Sequence, residues 1–305
     1  MNRRQRTLKY SHTFKGKGLH SGKSVTMVVS PAPANTGIRF YRSDLSGSHP
    51  MEAVADHVIY TQRCTTLEHD NVRIFTLEHL MSSLVGLGID NAMVNIDTFE
   101  VPILDGSAKP YVDAFGNDPL CEETAPVTYI DITEPIVYND PSGSIIKVTP
   151  SDHFSVDLTV DFNSKVLGVQ KFHWEEGMDY AKELAPCRTF VFFHELEILY
   201  KNNLIKGGDL DNALVIVENP VSDEEISHIA GLFNVEKIKR NSNGYLDNVS
   251  LHYDNECVRH KMLDLLGDFS LVGSRINAHI EAFKSGHKVN TTVAGMIRNK
   301  YINNK

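Results

Sequence analysis

The chain predicts an α+β fold in two domains, and three observations carry that prediction. Its 305 residues accommodate about two domains of ordinary size. Each part runs through strand-type segments before helical ones, the α+β order. A short polar, proline-bearing break at residues 120–126 separates the two parts. The expected domains are therefore residues 1–126 and 127–305, each a β-sheet with helices.

Apolar and polar residues alternate from Thr7 to Phe14 and again at Val25, Met27 and Val29, which reads as strands joined in a hairpin by the glycine-rich stretch Gly16 to Gly22. That stretch superficially resembles a dinucleotide-binding fingerprint. Ser21 stands where the third glycine belongs, however, and a strand follows where a helix is needed, so a Rossmann fold is rejected. Leu77, Leu80, Met81, Leu84 and Val85 then recur at helical spacing, and Gly86-Leu-Gly-Ile-Asp-Asn91 supplies a stop, predicting a helix over 76–85. After the break, Val127 to Ile132 is strand-like. Further strands are expected at Ser144 to Val148, Phe154 to Phe162 and Arg188 to Phe193, and helices at about 255–267 and 276–284.

With 41% hydrophobic and 23% charged residues the chain suits a soluble globule. No apolar run approaches the roughly 18 residues of a membrane span, and the basic start Arg3-Arg-Gln-Arg6 leads into no signal-peptide core. A cytoplasmic protein without stable membrane insertion is expected. Cys64, Cys121, Cys187 and Cys257 form no Cys-x-x-Cys pair, which argues for free thiols rather than a thiolate zinc site or disulfides. A net charge of −9 disfavours a broad nucleic-acid surface. Lys237, Lys239, Arg240, Arg259 and Lys261 are close enough in sequence to form a local basic patch for a compact anion, or simply a solvated surface.

The densest chemistry lies in the late helix. At about 100° per residue, His260, Lys261, Asp264 and Asp268 share one arc, and Val258, Met262, Leu265 and Leu266 the other. Asp264 and Asp268 form a like-charged i,i+4 pair, which weakens a helix unless something cationic lies nearby. A divalent metal held by His260 and Asp264 would supply it; an exposed face with Lys261 pairing Asp264 is the alternative. On the 76–85 helix, His79 lies opposite the apolar stripe, beside Ser82, Ser83 and Gly86, whose small size lets another backbone approach closely. His79 fits either a metal ligand or an ordinary hydrogen-bonded histidine. With His260 and Asp264 it would complete the three-ligand set of a catalytic zinc site, with Glu78 as base toward a water in the fourth position. In Ser285-Gly-His-Lys-Val-Asn290 the glycine frees the backbone to present His287 into a cleft, and Asp268 is the carboxylate available to hold that imidazole. A loop histidine in water is the alternative.

These segments together resemble the UDP-3-O-acyl-N-acetylglucosamine deacetylases, the zinc enzymes of bacterial lipid A synthesis. Six motifs carry the resemblance in order: Gly18-Leu-His20; Glu78-His-Leu80 running into Gly86-Leu-Gly-Ile-Asp-Asn91; Pro102-Ile-Leu-Asp-Gly-Ser-Ala108; Arg188-Thr-Phe190; His260-Lys-Met-Leu-Asp-Leu-Leu-Gly-Asp268; and Gly286-His-Lys-Val-Asn290. Similarity is thinnest at about 115–185 and 215–252.

The resemblance implies two α+β domains with helices packed between two outer sheets and a site where the domains meet. It implies one zinc ion on His79, His260 and Asp264, lowering the pKa of its water toward roughly 7, and Glu78 as general base. It further implies Thr189 as an oxyanion contact, and His287, held by Asp268, as the group that offsets charge and protonates the departing amine. Lys261 is implied as a contact to the diphosphate region, Phe190 and Phe192 as aromatic contacts (or, since they alternate along a strand, as core), and Leu19, His20 and Cys64 as further substrate contacts. Ile198 to Val217, with Gly207-Gly208 as a flexible point, matches the family's acyl-chain passage. The expected substrate is the small molecule UDP-3-O-acyl-N-acetylglucosamine and the expected state a monomer; a fused dehydratase domain, found in some relatives, is not expected in a chain ending at Lys305. A non-catalytic sugar-nucleotide or acyl-lipid binding protein on the same scaffold is the competing reading; a zinc peptidase lacks its His-Glu-x-x-His motif.

Overall fold

The computed structural model describes residues 3–304 except 203, 234, 236 and 237. The first half comprises β1 (Arg4–Thr7), β2 (His12–Lys17), β3 (Ser24–Pro31), β4 (Ile38–Arg42), β5 (Met51–Glu52), β6 (Val58–Tyr60), β7 (Thr66–His69), β8 (Val72–Phe75), α1 (Glu78–Gly86), β9 (Ala92–Ile96), α2 (Lys109–Gly116) and β10 (Cys121–Pro126). Its main sheet has the order β2-β3-β9-β4-β5, with β6-β7-β8 as a smaller sheet and β1 paired to β10. The β2–β3 hairpin forms as expected, but the strand expected over residues 7–14 is two strands, interrupted at residues 8–11. The segment 121–126, expected as an irregular break, is a strand: its polar residues alternate along an edge ribbon with β1.

The second half comprises β11 (Tyr129–Asp131), β12 (Ile136–Asn139), β13 (Ile145–Pro150), β14 (Ser155–Asp161), β15 (Val169–Glu175), α3 (Tyr180–Glu183), β16 (Phe190–Phe192), α4 (Phe193–Lys201), β17 (Leu214–Ile216), α5 (Asp223–Leu232), α6 (Glu256–Ser270), β18 (Arg275–Phe283) and α7 (His287–Arg298). The main sheet runs β12-β13-β18-β14-β15, with β11 also on β18. Residues 276–284, expected as a helix, instead form the central strand of this sheet. Ile276, Ala278, Ile280 and Ala282 are buried in strict alternation, the period of a strand, and β18 pairs antiparallel with β13 and parallel with β14. The helix lies after it: His287, for which a loop position in water was the alternative reading, opens α7, whose buried Val289, Val293, Ala294 and Ile297 recur at helical spacing.

The layers are sheet, helices, sheet. Leu77, Leu80, Met81 and Leu84 of α1 pack on Met27, Val29, Phe40, Val94 and Ile96 of the first main sheet. Val258, Met262, Leu265 and Leu266 of α6 pack with α7 on Ile146, Val148, Val156 and Ile280 of the second. The remaining faces of α1 and α6 meet each other. There the fit leaves no room: a Cβ on Gly267 would stand 2.2 Å from the carbonyl oxygen of Glu78, and one on Gly86 would stand 2.4 Å from the Tyr180 ring. The small residues of α1 thus admit a neighbouring element, as their size suggested.

Gly267→Ala is expected to lower stability by about 1–3 kcal/mol, the cost of overpacking a tight core, seen as a melting temperature reduced by several degrees. A thermal melt superimposable on the parent's would contradict this account of the helix contact.

Candidate metal centre and active-site cleft

α1 delivers Glu78 and His79 at its first turn. The residue before Leu77, Thr76, sits at φ +57°, a left-handed conformation disfavoured for a β-branched side chain, and is held there by its amide donating to the Thr65 carbonyl and its hydroxyl donating to Glu100. α6 delivers His260 and Asp264 one turn apart. The arc expected to be either metal-bound or exposed is buried: His79, His260, Asp264 and Asp268 are 6%, 1%, 2% and 0% exposed, which removes the solvated-face reading.

The His79 and His260 Nε2 atoms lie 3.6 and 3.4 Å from Asp264 Oδ1, and the three offered ligand atoms fall within 4.8 Å of one another. A tetrahedral ion about 2.1 Å from each ligand separates neighbouring ligand atoms by about 3.4 Å. Asp264 Oδ1 is buried with no hydrogen-bond partner among the described residues, a costly state for a carboxylate oxygen unless a cation meets it. His260 Nδ1 donates to the Cys187 carbonyl at 3.1 Å, which turns the Nε2 lone pair toward Asp264. Burial, helped by His79 and Lys261 and opposed by Asp264, holds the His260 pKa down to about 3, so its imidazole is neutral. Burial resists the Asp264 charge, but His260 and Lys261 prevail and keep its pKa well below the usual carboxylate range. Two imidazoles and a carboxylate converging on one point fit a divalent metal.

Beside this centre runs a second hydrogen-bonded group. Thr65 donates its amide to Glu78 Oε2 at 3.1 Å and its hydroxyl to Asp268 Oδ1 at 2.6 Å. Asp268 Oδ2 accepts from His287 Nδ1 and from Asn290, both at 2.9 Å. The other His287 nitrogen faces Glu78 Oε1 at 3.8 Å. Burial opposes charge on His287, but Asp268 and Glu78 outweigh it and raise its pKa to about 9. Burial raises the Glu78 pKa, against the pull of His287 and His79. The result is a poised carboxyl facing a held imidazolium. The glycine before His287 has φ −160°, ordinary extended backbone; the imidazole is placed by the helix start, not by glycine's freedom.

The centre opens into a cleft of about 640 Å³ between the halves. Of the residues singled out from sequence, Thr189, Lys261, Phe190, Phe192, Leu19 and His20 line it. Phe190 and Phe192 are half-buried and line the cleft, packing on Phe162 and, on the inner side, against the cluster of Leu214, Ile216 and Tyr245, so they share the character of wall and core. Lys261 Nζ meets Asp264 Oδ2 at 2.9 Å and lies 5.7 Å from the Phe190 ring centroid. Leu19 and His20 are placed by Glu100, whose carboxylate accepts the His20 and Ser21 amides at 2.8 Å each. Cys64 does not line the cleft: its side chain is buried against Thr66, and burial pushes its thiol up to about 12. The adjacent Thr65 is the residue that reaches the Glu78 and Asp268 carboxylates. All four cysteines are free, as expected.

The apolar end of the cleft carries Leu196, Leu199, Ile205, Leu210, Val215 and Phe233, so residues 198–217 supply part of it. Gly207 is not a flexible point: a Cβ there would stand 2.1 Å from the Gly18 carbonyl oxygen, and its amide bonds the Leu19 carbonyl. The glycine permits close approach. Two of the five residues offered as a local basic patch or a solvated surface are engaged elsewhere. Arg259 stacks on Phe172 and Tyr253 and pairs with Glu183, Lys261 turns into the cleft, and Lys237 lies outside the described residues.

Sequence comparison bears directly on this geometry. The family model described as UDP-3-O-acyl N-acetylglycosamine deacetylase matches residues 5–230 and 230–299. The chain belongs to this family. Its similarity to two proteins named Bifunctional enzyme LpxC/FabZ, from Porphyromonas gingivalis and Bacteroides thetaiotaomicron, is 41% identity over 99% of the chain and 40% over 97%. The chain spans only 66% and 64% of their lengths. A protein named UDP-3-O-acyl-N-acetylglucosamine deacetylase from Acidithiobacillus ferrooxidans is 39% identical over 95% of the chain and 88% of its own length.

Asp268→Asn removes the charge that overcomes burial at His287. By NMR titration the imidazole should then lose its proton far below the parent's pH of about 9; an unchanged titration would dissociate Asp268 from His287.

Proposed function

We propose that this chain is a zinc-dependent amidohydrolase that removes the C2 acetyl group of UDP-3-O-acyl-N-acetylglucosamine, releasing acetate, in lipid A biosynthesis. The observation that carries the reading is the buried convergence of His79, His260 and the unpartnered Asp264 Oδ1 beside Glu78, in a chain of the deacetylase family. His79, His260 and Asp264 would hold the zinc ion, which when bound supplies Lewis acidity and an acidified water.

The protein's own groups divide the remaining work. Glu78, fixed through one oxygen by the Thr65 amide, accepts the proton of the water that attacks the acetamide carbonyl. The Thr189 hydroxyl, on the cleft wall, donates to the carbonyl oxygen as charge develops there. His287, kept protonated by Asp268, balances that charge and gives its proton to the departing C2 nitrogen, avoiding expulsion of an amide anion. Lys261, Phe190 and Phe192, with Leu19 and His20, hold the sugar nucleotide. The apolar stretch from Leu196 to Val215 shelters the acyl chain, worth about 0.8 kcal/mol per buried methylene.

Residues 1–126 and 127–305 act in this reading as two domains, a division supported by sheets that each pair strands from one half only. No described helix is long and apolar enough to cross a membrane. We place the reaction in the cytoplasm of a Gram-negative bacterium, performed by a monomer on a small-molecule substrate without nucleic acid.

Incubating the purified protein with UDP-3-O-acyl-N-acetylglucosamine should release acetate, and a chelator should stop it. His79→Ala should lose bound zinc and acetate release together, whereas Glu78→Ala should keep its metal and lose about 10²-fold or more in rate. Full activity of either variant would refute the assignment.

A further inference from the structure

A second cavity, of about 330 Å³, lies between the two halves and shares no lining residue with the active-site cleft. Its walls are the C-terminal ends of α1 and α6, the start of β18 and the segment 174–178. Most of its lining is apolar and aromatic: Leu87, Phe154, Trp174, Met178, Leu266 and Phe269. Three arginines, Arg3, Arg6 and Arg275, line the same space.

Among the described residues the Arg3 and Arg275 guanidinium groups share one partner carboxylate, Asp90. Arg3 holds it through two bonds of 2.8 Å, Arg275 Nη2 lies 3.2 Å from Oδ1, and the Arg6 amide donates to Oδ2 at 2.9 Å. Both Asp90 oxygens are thereby engaged. The Arg6 guanidinium is left over: its Nε is buried and finds no hydrogen-bond partner among the described residues. Glu176, the other acid on the cavity wall, bonds the Tyr129 hydroxyl and makes no ion pair with these arginines among the described residues. A guanidinium offers a planar fork of donors that matches a carboxylate or phosphate, and here the fork borders an apolar chamber. The volume is at the small end of ligand cavities, about 300–1,000 Å³.

We propose that this cavity binds a small amphiphilic anion, its carboxylate or phosphate head on Arg6 and its apolar body against Leu87, Phe154, Trp174 and Phe269. Trp174 is the only tryptophan in the chain, so its fluorescence reports on this cavity and not on the acyl passage, where an alkyl anion would also find apolar surface.

The test titrates the zinc-loaded full chain with decanoate, decyl phosphate and decanol, each below its micellar concentration, while Trp174 emission is followed. At least one anion should give a saturable change, and which one identifies the head group. Decanol, of equal chain length, should bind about ten-fold or more weakly, a comparison that needs no variant. Arg6→Gln, remote from the catalytic cleft, should retain acetate release and lose the anion's advantage over decanol. The proposal is overturned if neither anion saturates, if decanol binds as tightly as the anions, or if Arg6→Gln responds as the parent does.

Discussion

The contact between α1 and α6 is the constraint on which the site rests. Gly267 lets α6 press directly on the Glu78 carbonyl, and no other residue type fits that space without moving one helix. Because His79 follows Glu78 and Asp264 lies one turn before Asp268, the spacing of the two helices fixes the distances among the metal-site atoms. Each helix is held from behind by its own sheet: Leu80 and Leu84 on the first, Met262 and Leu266 on the second. Interiors packed at crystal-like density yield little, so the hydrophobic sandwich supplies the rigidity that a preorganised catalytic centre requires.

That rigidity is put to electrostatic use. Glu78, Asp264 and Asp268 are three acids in one buried region, an arrangement unfavourable by burial and by mutual repulsion. Each has its own answer. Asp268 accepts from Thr65, His287 and Asn290; Glu78 accepts from Thr65 and faces His287; Asp264 has Lys261 on one oxygen and, among the described residues, no hydrogen-bond partner on the other. A divalent cation held there would resolve the last. The division also separates roles, since the carboxyl whose pKa is raised faces the cleft while the most fully bonded one lies behind His287.

Much of this was legible in the chain. The helix over 76–85 and the apolar arc of α6 followed from spacing and residue type, and the β2–β3 hairpin from alternation; His79 by itself fitted an ordinary histidine as well as a ligand, and its grouping with His260 and Asp264 was carried by the family resemblance. Residues 276–284 were misread because Ala, Glu and Ile suit a helix, while the decisive signal was the two-residue period from Ile276 to Ala282; pairing on both sides made it the central strand of its sheet. α7 was hidden because its start, Gly286-His287, reads as a loop, although Val289, Val293 and Ile297 hold the helical period. Thr65 could not be found in sequence at all. A lone threonine carries no pattern, and its importance comes from a fold that brings it between two acids, one of them 203 positions away. Glu100 is similar: its role is visible only once the 18–22 loop folds over it.

The central claim is that three side chains, from two halves of the chain, hold one zinc ion. Crystals of the purified protein measured on both sides of the zinc absorption edge test it most directly. A single anomalous peak within about 2.0–2.2 Å of His79 Nε2, His260 Nε2 and an Asp264 oxygen is the predicted result. No peak there, or a zinc ion bound by other residues, would contradict the account.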